Sequence, residues 1–543
     1  MDTGGVAEAV APFRVSGNWL GEGQNFFVAL SFANLCFLNV WAEIQNPAQY
    51  YFLSSTPAEV VQTSLLAVCL LAAGLYAAGW AVRLLVPARF HLLLGLLLLL
   101  YPAKCIVVRF QGSTWDFFRA HYVMAFALSC FVGFVSFRWP QRVARIVKTA
   151  LLSGIVLLPI FAGVSTWRLL AAFRGISEPG PLSPPSGPAA SRRVVWMLFD
   201  DLDQTLAFPE RPSGVDLTEL DRWREESFYA TSASSPAHFT ILSIPSLIAG
   251  RVVTDARPTG PSRLRVRFRD TGTTEDWGAT SSVFSQAHQL GFRSAIVGWY
   301  HPYSRLFGKV ADFTFWRQCA CATPFLLTDT YDESRGLWEG AFNLLMRQTA
   351  FFPLAQRFGV VRAGEGTMPE WKAAREHQVV DYQQIHEMAI RCARDPHFEL
   401  VFIHWPVPHP PGIFDRSTGR LSAGGRTNYI ENLHLVDVSL HDIRQALEQS
   451  GLWDRTNVLI SADHPSNRSF WETEFSDWDQ EELRALRRTR STNVPFVLKL
   501  AGQHEGLTYD KPFNTVVTRE LILQLLQGQL TTPEQIRKYL DAT

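Results

Sequence analysis

Four stretches of this 543-residue chain end in side chains that bind divalent metals. Residues 194–199 run into Asp200-Asp201, and residues 294–297 lead to His301. Residues 400–403 lead to His404 and His409, and residues 457–460 to Asp463-His464. Carboxylates and imidazoles gathered from separate segments suit a divalent cation. An Asp after a strand is commonly a helix cap, so a single pair would carry little. Four such endings in register do not read as caps. Asp437 and His441, spaced i, i+4, share one helix face and could hold a second metal. The surrounding YIENLHLVDVSLHDI also reads as a plain amphipathic helix. No cysteine spacing fits a zinc site. Cys319, Cys321 and Cys392 are an odd set that leaves disulfide pairing open.

Each of the four stretches is a short, continuous apolar run, the pattern of a strand buried on both faces of a parallel sheet. Helix-like segments separate them, which predicts a doubly wound α/β sheet with functional side chains beyond the strands' C-terminal ends.

The apolar residues, 47 % of the chain, crowd into the first 172 positions. Five segments there, near 25–44, 60–81, 90–108, 121–137 and 149–170, are long enough to cross a hydrocarbon core of about 30 Å. Lys104 in the third and the shortness of the fourth make these two the weakest. The connection after the first segment has no Lys or Arg, whereas that after the fourth holds Arg138, Arg142, Arg145 and Lys148. Positive charge marks the cytoplasmic side, so the N-terminus is expected inside and everything after residue 170 outside. Residues 1–23 lack a cleavable signal pattern, so the first span is expected to stay as an anchor. The expected organisation is a multi-pass anchor over 1–172, a Pro/Ser/Gly-rich linker over 173–193 and a catalytic domain over 194–543. Zero net charge gives no reason to expect nucleic acid as a partner.

Three motifs resemble the alkaline phosphatase–sulfatase superfamily, above all its sulfatases and its membrane-anchored phosphoethanolamine and phosphoglycerol transferases. VVWMLFDDLD resembles the first metal-binding strand, NVLISADHP the late strand ending in Asp-His, and AHFT followed by SIPSLIAGR the nucleophile turn and its helix. The resemblance implies an alkaline phosphatase-like sheet domain in which Asp200, Asp201, Asp463 and His464 hold one divalent ion, with zinc, manganese, magnesium and calcium not distinguished. It implies a hydroxyl nucleophile at a helix start. Counting back from Gly250-Arg251 puts Thr240 there, whereas alignment on Ser243-x-Pro245 puts His238 there, and Ser235 is a more distant candidate. FIHWPVPHPP resembles the transferases' His-x4-His segment, which makes His409 a substrate ligand and His404 a strand-end structural group. GFRSAIVGWYH resembles the sulfatase Gly-Lys-Trp-His segment, but Trp299 stands where the lysine would be, so only His301 carries over. Arg468 could supply a bidentate donor to a phosphoryl group.

The resemblance implies metal-dependent phosphoryl transfer on a lipid or lipid-linked phosphoester at the outer, periplasmic face of the cytoplasmic membrane. The alternatives are a membrane-bound sulfatase, for which Asp200-Asp201 speaks, and a non-catalytic lipid sensor, for which Pro465 after Asp-His leaves room.

Overall fold

The structure, a computed structural model, describes residues 19–87, 90–91, 94–102, 130–176, 189–318, 336–348, 369–424, 428–468, 471–472, 478–489 and 492–543. The chain divides into two compact units. The first comprises Met1–Gln45, Pro57–Arg168 and Arg335–Phe352, and the second Asn46–Thr56, Leu169–Ser334 and Pro353–Thr543.

The first unit is helical. Helices α1 (Trp19–Cys36) and α2 (Leu38–Ile44) are joined by a 55° bend. Helix α3 (Pro57–Leu85) starts on proline, whose missing N–H costs nothing at a helix start, and continues through a Leu- and Ala-rich run. Helices α4 (Pro140–Gly154) and α5 (Leu157–Phe173) follow one another in a 34-residue stretch that contains an 18-residue apolar window. Among the described residues, α3 and the α4–α5 stretch are long and apolar enough to cross a membrane, and a third span results if the bent α1–α2 pair counts as one. The spans expected near 90–108 and 121–137 fall partly outside the described residues, and Cys319 and Cys321 lie wholly outside them. Arg142, Arg145 and Lys148, expected in a loop, lie inside α4, because Pro140 at its first position opens a helix that no breaker interrupts before Gly154. Helix α7 (Leu337–Gln348) packs on α3.

The second unit is built on an eight-stranded sheet: β1 (Arg193–Asp200), β2 (Phe228–Ala230), β3 (Ser294–Trp299), β4 (Phe313–Arg317), β5 (Leu400–Pro408), β6 (Thr456–Ala462), β7 (Phe496–Lys499) and β8 (Leu507–Tyr509). Their order is β8-β2-β7-β6-β1-β5-β3-β4. The run from β6 through β4 is parallel and β7 is antiparallel to its neighbours. The four expected strands are thus the adjacent β6, β1, β5 and β3. All eight residues of β1 are buried, as a strand covered on both faces requires. Helices α8 (Pro369–Arg394) and α9 (Tyr429–Gln449) pack on β5, and the helix Thr518–Gln527 packs on β1. Cys392 is a free, buried thiol on α8.

Residues 46–56, the connection between α2 and α3, belong to this second unit. The Asn46 side chain accepts from the Ala48 N–H at 3.2 Å and starts a 3₁₀ turn over Pro47–Tyr51. Tyr51 and Phe52 are fully buried in the same apolar core as β1 and β3.

Candidate metal centre and nucleophile

Strand register decides which side chains meet. In the parallel β1–β6 pair Phe199 lies opposite Ala462, so Asp200-Asp201 and Asp463-His464 leave the sheet side by side. On the other flank Leu198 pairs with His404. Asp201 at the end of β1 and Tyr300 at the end of β3 have φ of 69° and 73°, a conformation that non-glycine residues hold only when their surroundings impose it.

Asp200, Asp463 and His464 bring ligand atoms within 4.8 Å of one another, and all three are buried. Oδ1 of Asp200 and Oδ2 of Asp463 are buried with no hydrogen-bond partner among the described residues. Burial and the facing Asp463 carboxylate push Asp200 well above the usual carboxylate range, and burial likewise raises Asp463. Burial disfavours the charged His464 imidazole, but Asp463, Asp201 and Asp200 outweigh it and hold its pKa well above the ordinary value. Excess negative charge in a dry pocket, with orphaned carboxylate oxygens, is what a divalent cation neutralises, so the donor set fits one ion. Two carboxylates and an imidazole suit zinc or manganese as well as magnesium.

Asp201 lies beside this group and is joined to it through His464. Its Oδ1 lies 3.0 Å from Nδ1 of His464, and the carbonyl of Pro465 is also 3.0 Å from that nitrogen. Acceptors on Nδ1 leave Nε2 to face the centre of the cluster. The Asp201 N–H donates to Oδ1 of Asp463 at 3.3 Å, and its carbonyl accepts from the Tyr429 hydroxyl at 2.9 Å.

Thr240 opens helix α6 (Thr240–Ala249), and its Oγ1 lies 3.2 Å from Oδ2 of Asp200 and 3.1 Å from Nε2 of His464. The Ser243 hydroxyl, one turn on, donates to the Asp463 carbonyl and ties the helix start to β6. Gly250, at φ 66°, ends the helix in the left-handed conformation that glycine adopts without strain. His238 is exposed and makes no contact with this cluster. Ser235 instead donates to the Ala237 carbonyl at 2.9 Å.

His404 is fully buried, with Nε2 3.7 Å from Oδ2 of Asp200. The Trp299 carbonyl, 2.9 Å from its Nδ1, holds the ring, and the Tyr303 hydroxyl is 3.1 Å away. Burial lowers its pKa to about 3, so it is neutral. The His409 N–H donates to the Asp200 carbonyl at 3.1 Å, and its ring rests against Trp299 at 4.9 Å. His301 is fully buried and reaches the backbone of Thr240; burial and neighbouring His404 hold it well below the usual imidazole range. Arg468 is exposed and donates to the Arg487 carbonyl at 3.1 Å. Asp437 accepts the N–H groups of Leu220 and Glu219 at 2.7 and 3.3 Å, capping the helix Thr218–Glu225, and His441 is exposed. Those two form no second metal group among the described residues. Sequence reading passed over Tyr303 and Tyr51, which act on the histidines from other elements; only an aromatic beside the motif, Tyr303, left a local trace.

Neither a protein-family profile nor a curated protein sequence matches this chain. Solved structures do resemble it. The lipoteichoic acid synthase LtaP from Listeria monocytogenes is 13% identical over 65% of this chain and 76% of its own, with a TM-score of 0.39. The PsFucS1 sulfatase from Pseudoalteromonas sp. is 13% identical over 63% and 69%, with a TM-score of 0.40. A protein in the alkaline phosphatase superfamily from Vibrio parahaemolyticus is 11% identical over 62% and 68%, with a TM-score of 0.35. All three scores are below 0.5, so the chemistry of the site rests on its own atoms.

Proposed function

We propose that this chain is a membrane-anchored, metal-dependent phosphotransferase or phosphodiesterase of the alkaline phosphatase superfamily, acting on lipid-linked phosphoesters. The observation that carries the reading is the position of Thr240 Oγ1 between Asp200 and His464 at the start of α6. Asp200, Asp463 and His464 would hold one divalent ion, with Asp201 orienting His464. When bound, such an ion lowers the pKa of a neighbouring hydroxyl and draws charge from phosphoryl oxygens.

Thr240 is buried and held by two partners, so its oxygen is preset for in-line attack on phosphorus. The Thr240–phosphorus bond forms as the bond to the leaving alcohol breaks, and a second alcohol or water then takes the phosphoryl group from Thr240. The first N–H groups of α6 favour the anion, and His301 and His409 stand beside Thr240 and Asp200 respectively. The lipid substrate is supported by the apolar helices of the first unit and by residues 46–56, a connection between two of them that packs in the catalytic unit. In this reading that connection and the catalytic unit share the outer side of the membrane, and Arg142, Arg145 and Lys148 the inner side.

The test is intact-mass and peptide analysis of the detergent-purified chain after incubation with phospholipid. A headgroup-phosphate adduct present in wild type and His238→Ala but lost in Thr240→Ala is the expected result. An adduct lost only in His238→Ala would overturn the assignment of the nucleophile. No adduct in metal-loaded wild type would overturn the transfer mechanism.

A further inference from the structure

Tyr51 lies in the connection between α2 and α3, yet it is fully buried in the catalytic unit. Its hydroxyl is 2.8 Å from Nδ1 of His301, 250 positions away in the chain. The rings meet edge to face at 5.9 Å, with Trp277 against the other side of the imidazole at 4.9 Å. The turn that carries Tyr51 is anchored at several points. Phe52 packs on Tyr300 at 5.3 Å, the Ser54 N–H donates to Oε1 of Gln318 at 2.9 Å, and Arg305 reaches the Tyr50 carbonyl. Nε2 of His301, the other ring nitrogen, is buried and lies toward the Thr240 backbone without a hydrogen bond of normal geometry among the described residues. A buried imidazole nitrogen left unpaired is costly unless something else occupies it.

We propose that Tyr51 is a positioning residue for His301: its hydroxyl donates to Nδ1, which fixes the tautomer carrying hydrogen on Nε2 and aims that N–H at a tetrahedral oxyanion held beside Thr240. A neutral imidazole has one N–H, so the partner of Nδ1 decides what Nε2 can do. If Tyr51 donates, Nε2 is a hydrogen-bond donor, the role a phosphoryl oxygen requires. Residues 46–56, which join two apolar helices in the chain, thereby place Tyr51 on His301 within the second unit. This rests on the proposed function for its substrate but on geometry alone for the Tyr51–His301 link.

The test is a double-mutant cycle on the metal-loaded full-length chain in detergent, with Tyr51→Phe, His301→Ala and the pair. Inorganic orthovanadate serves as the tetrahedral oxyanion in binding titrations, and bis(p-nitrophenyl) phosphate as the turnover probe. Tyr51→Phe is expected to weaken vanadate binding on the order of tenfold, the size of one lost hydrogen bond to a charged group, and to have no further effect once His301 is alanine. Metal content is expected to stay the same. An equal loss in both backgrounds, loss of metal from Tyr51→Phe, or no vanadate binding in wild type would each overturn the proposal. Vanadate binding with the expected cycle but no phosphodiester turnover would leave it standing and sink the proposed function instead.

Discussion

Oδ1 of Asp201 lies 3.0 Å from Nδ1 of His464, on the side of the ring away from Thr240. Adjacent acidic residues therefore face different ways: Asp200 faces the centre of the cluster, and Asp201 meets the far side of the His464 ring. The left-handed backbone of Asp201 makes this possible by turning consecutive side chains in different directions.

Metal content separates these roles. Asp463→Asn or His464→Ala removes a direct donor and is expected to leave little bound metal after dialysis. Asp201→Asn is expected to weaken metal affinity by about 10–100-fold, the usual effect of losing a group that orients a metal-binding histidine. Plasma emission spectroscopy after dialysis against graded chelator checks both. Equal metal loss in Asp463→Asn and Asp201→Asn would mean that Asp201 binds the ion directly.

Gly298 is the point on β3 where another side chain would not fit. A Cβ there would strike the Tyr303 ring and lie 3.3 Å from the His404 Cβ. Gly298→Ala is expected to displace Tyr303, free His404 and cut turnover by more than tenfold, about 1.4 kcal/mol of barrier. The catalytic unit should melt within a few degrees of wild type. Activity within a factor of two would show that His404 need not be held.

Arg193 is 1 % exposed, and its guanidinium donates to the carbonyls of Phe398, Ala393, Cys392 and Asp395. It closes the C-terminal end of α8 and joins it to β1. Arg193→Met keeps most of the volume but leaves buried carbonyls without a donor, at about 1–3 kcal/mol each. The expected result is a clear fall in the catalytic unit's melting temperature with metal affinity unchanged. Differential scanning calorimetry would reveal it.

Lys499, fully buried, donates to the Trp453 carbonyl at 2.9 Å and lies 4.4 Å from that indole ring. Burial lowers its pKa from 10.5 to about 8. The folded chain thus loses this proton near pH 8, whereas the unfolded chain holds it to about 10.5. Its contribution to stability accordingly rises with pH across that window, by at most about 3 kcal/mol. Lys499→Met should flatten this part of the profile in urea unfolding between pH 7 and 11. Parallel wild-type and variant profiles would rule out the burial argument.

The sequence by itself determined the strands and the identities of the polar residues at their ends. Apolar runs stopping at Asp200-Asp201 and Asp463-His464 are local signals, because a strand buried on both faces has no other way to read. Apolar length marked α3 and α5 in the same local way. Tertiary structure decided what no local signal carries. The β1–β6 register set which acidic residues face each other, and the turn before α6 put Thr240 inside and His238 outside. The chain's return through residues 46–56 brought Tyr51 to His301, a contact between positions 250 apart. Such pairings depend on packing between elements far apart in the chain, and no spacing within a motif encodes them.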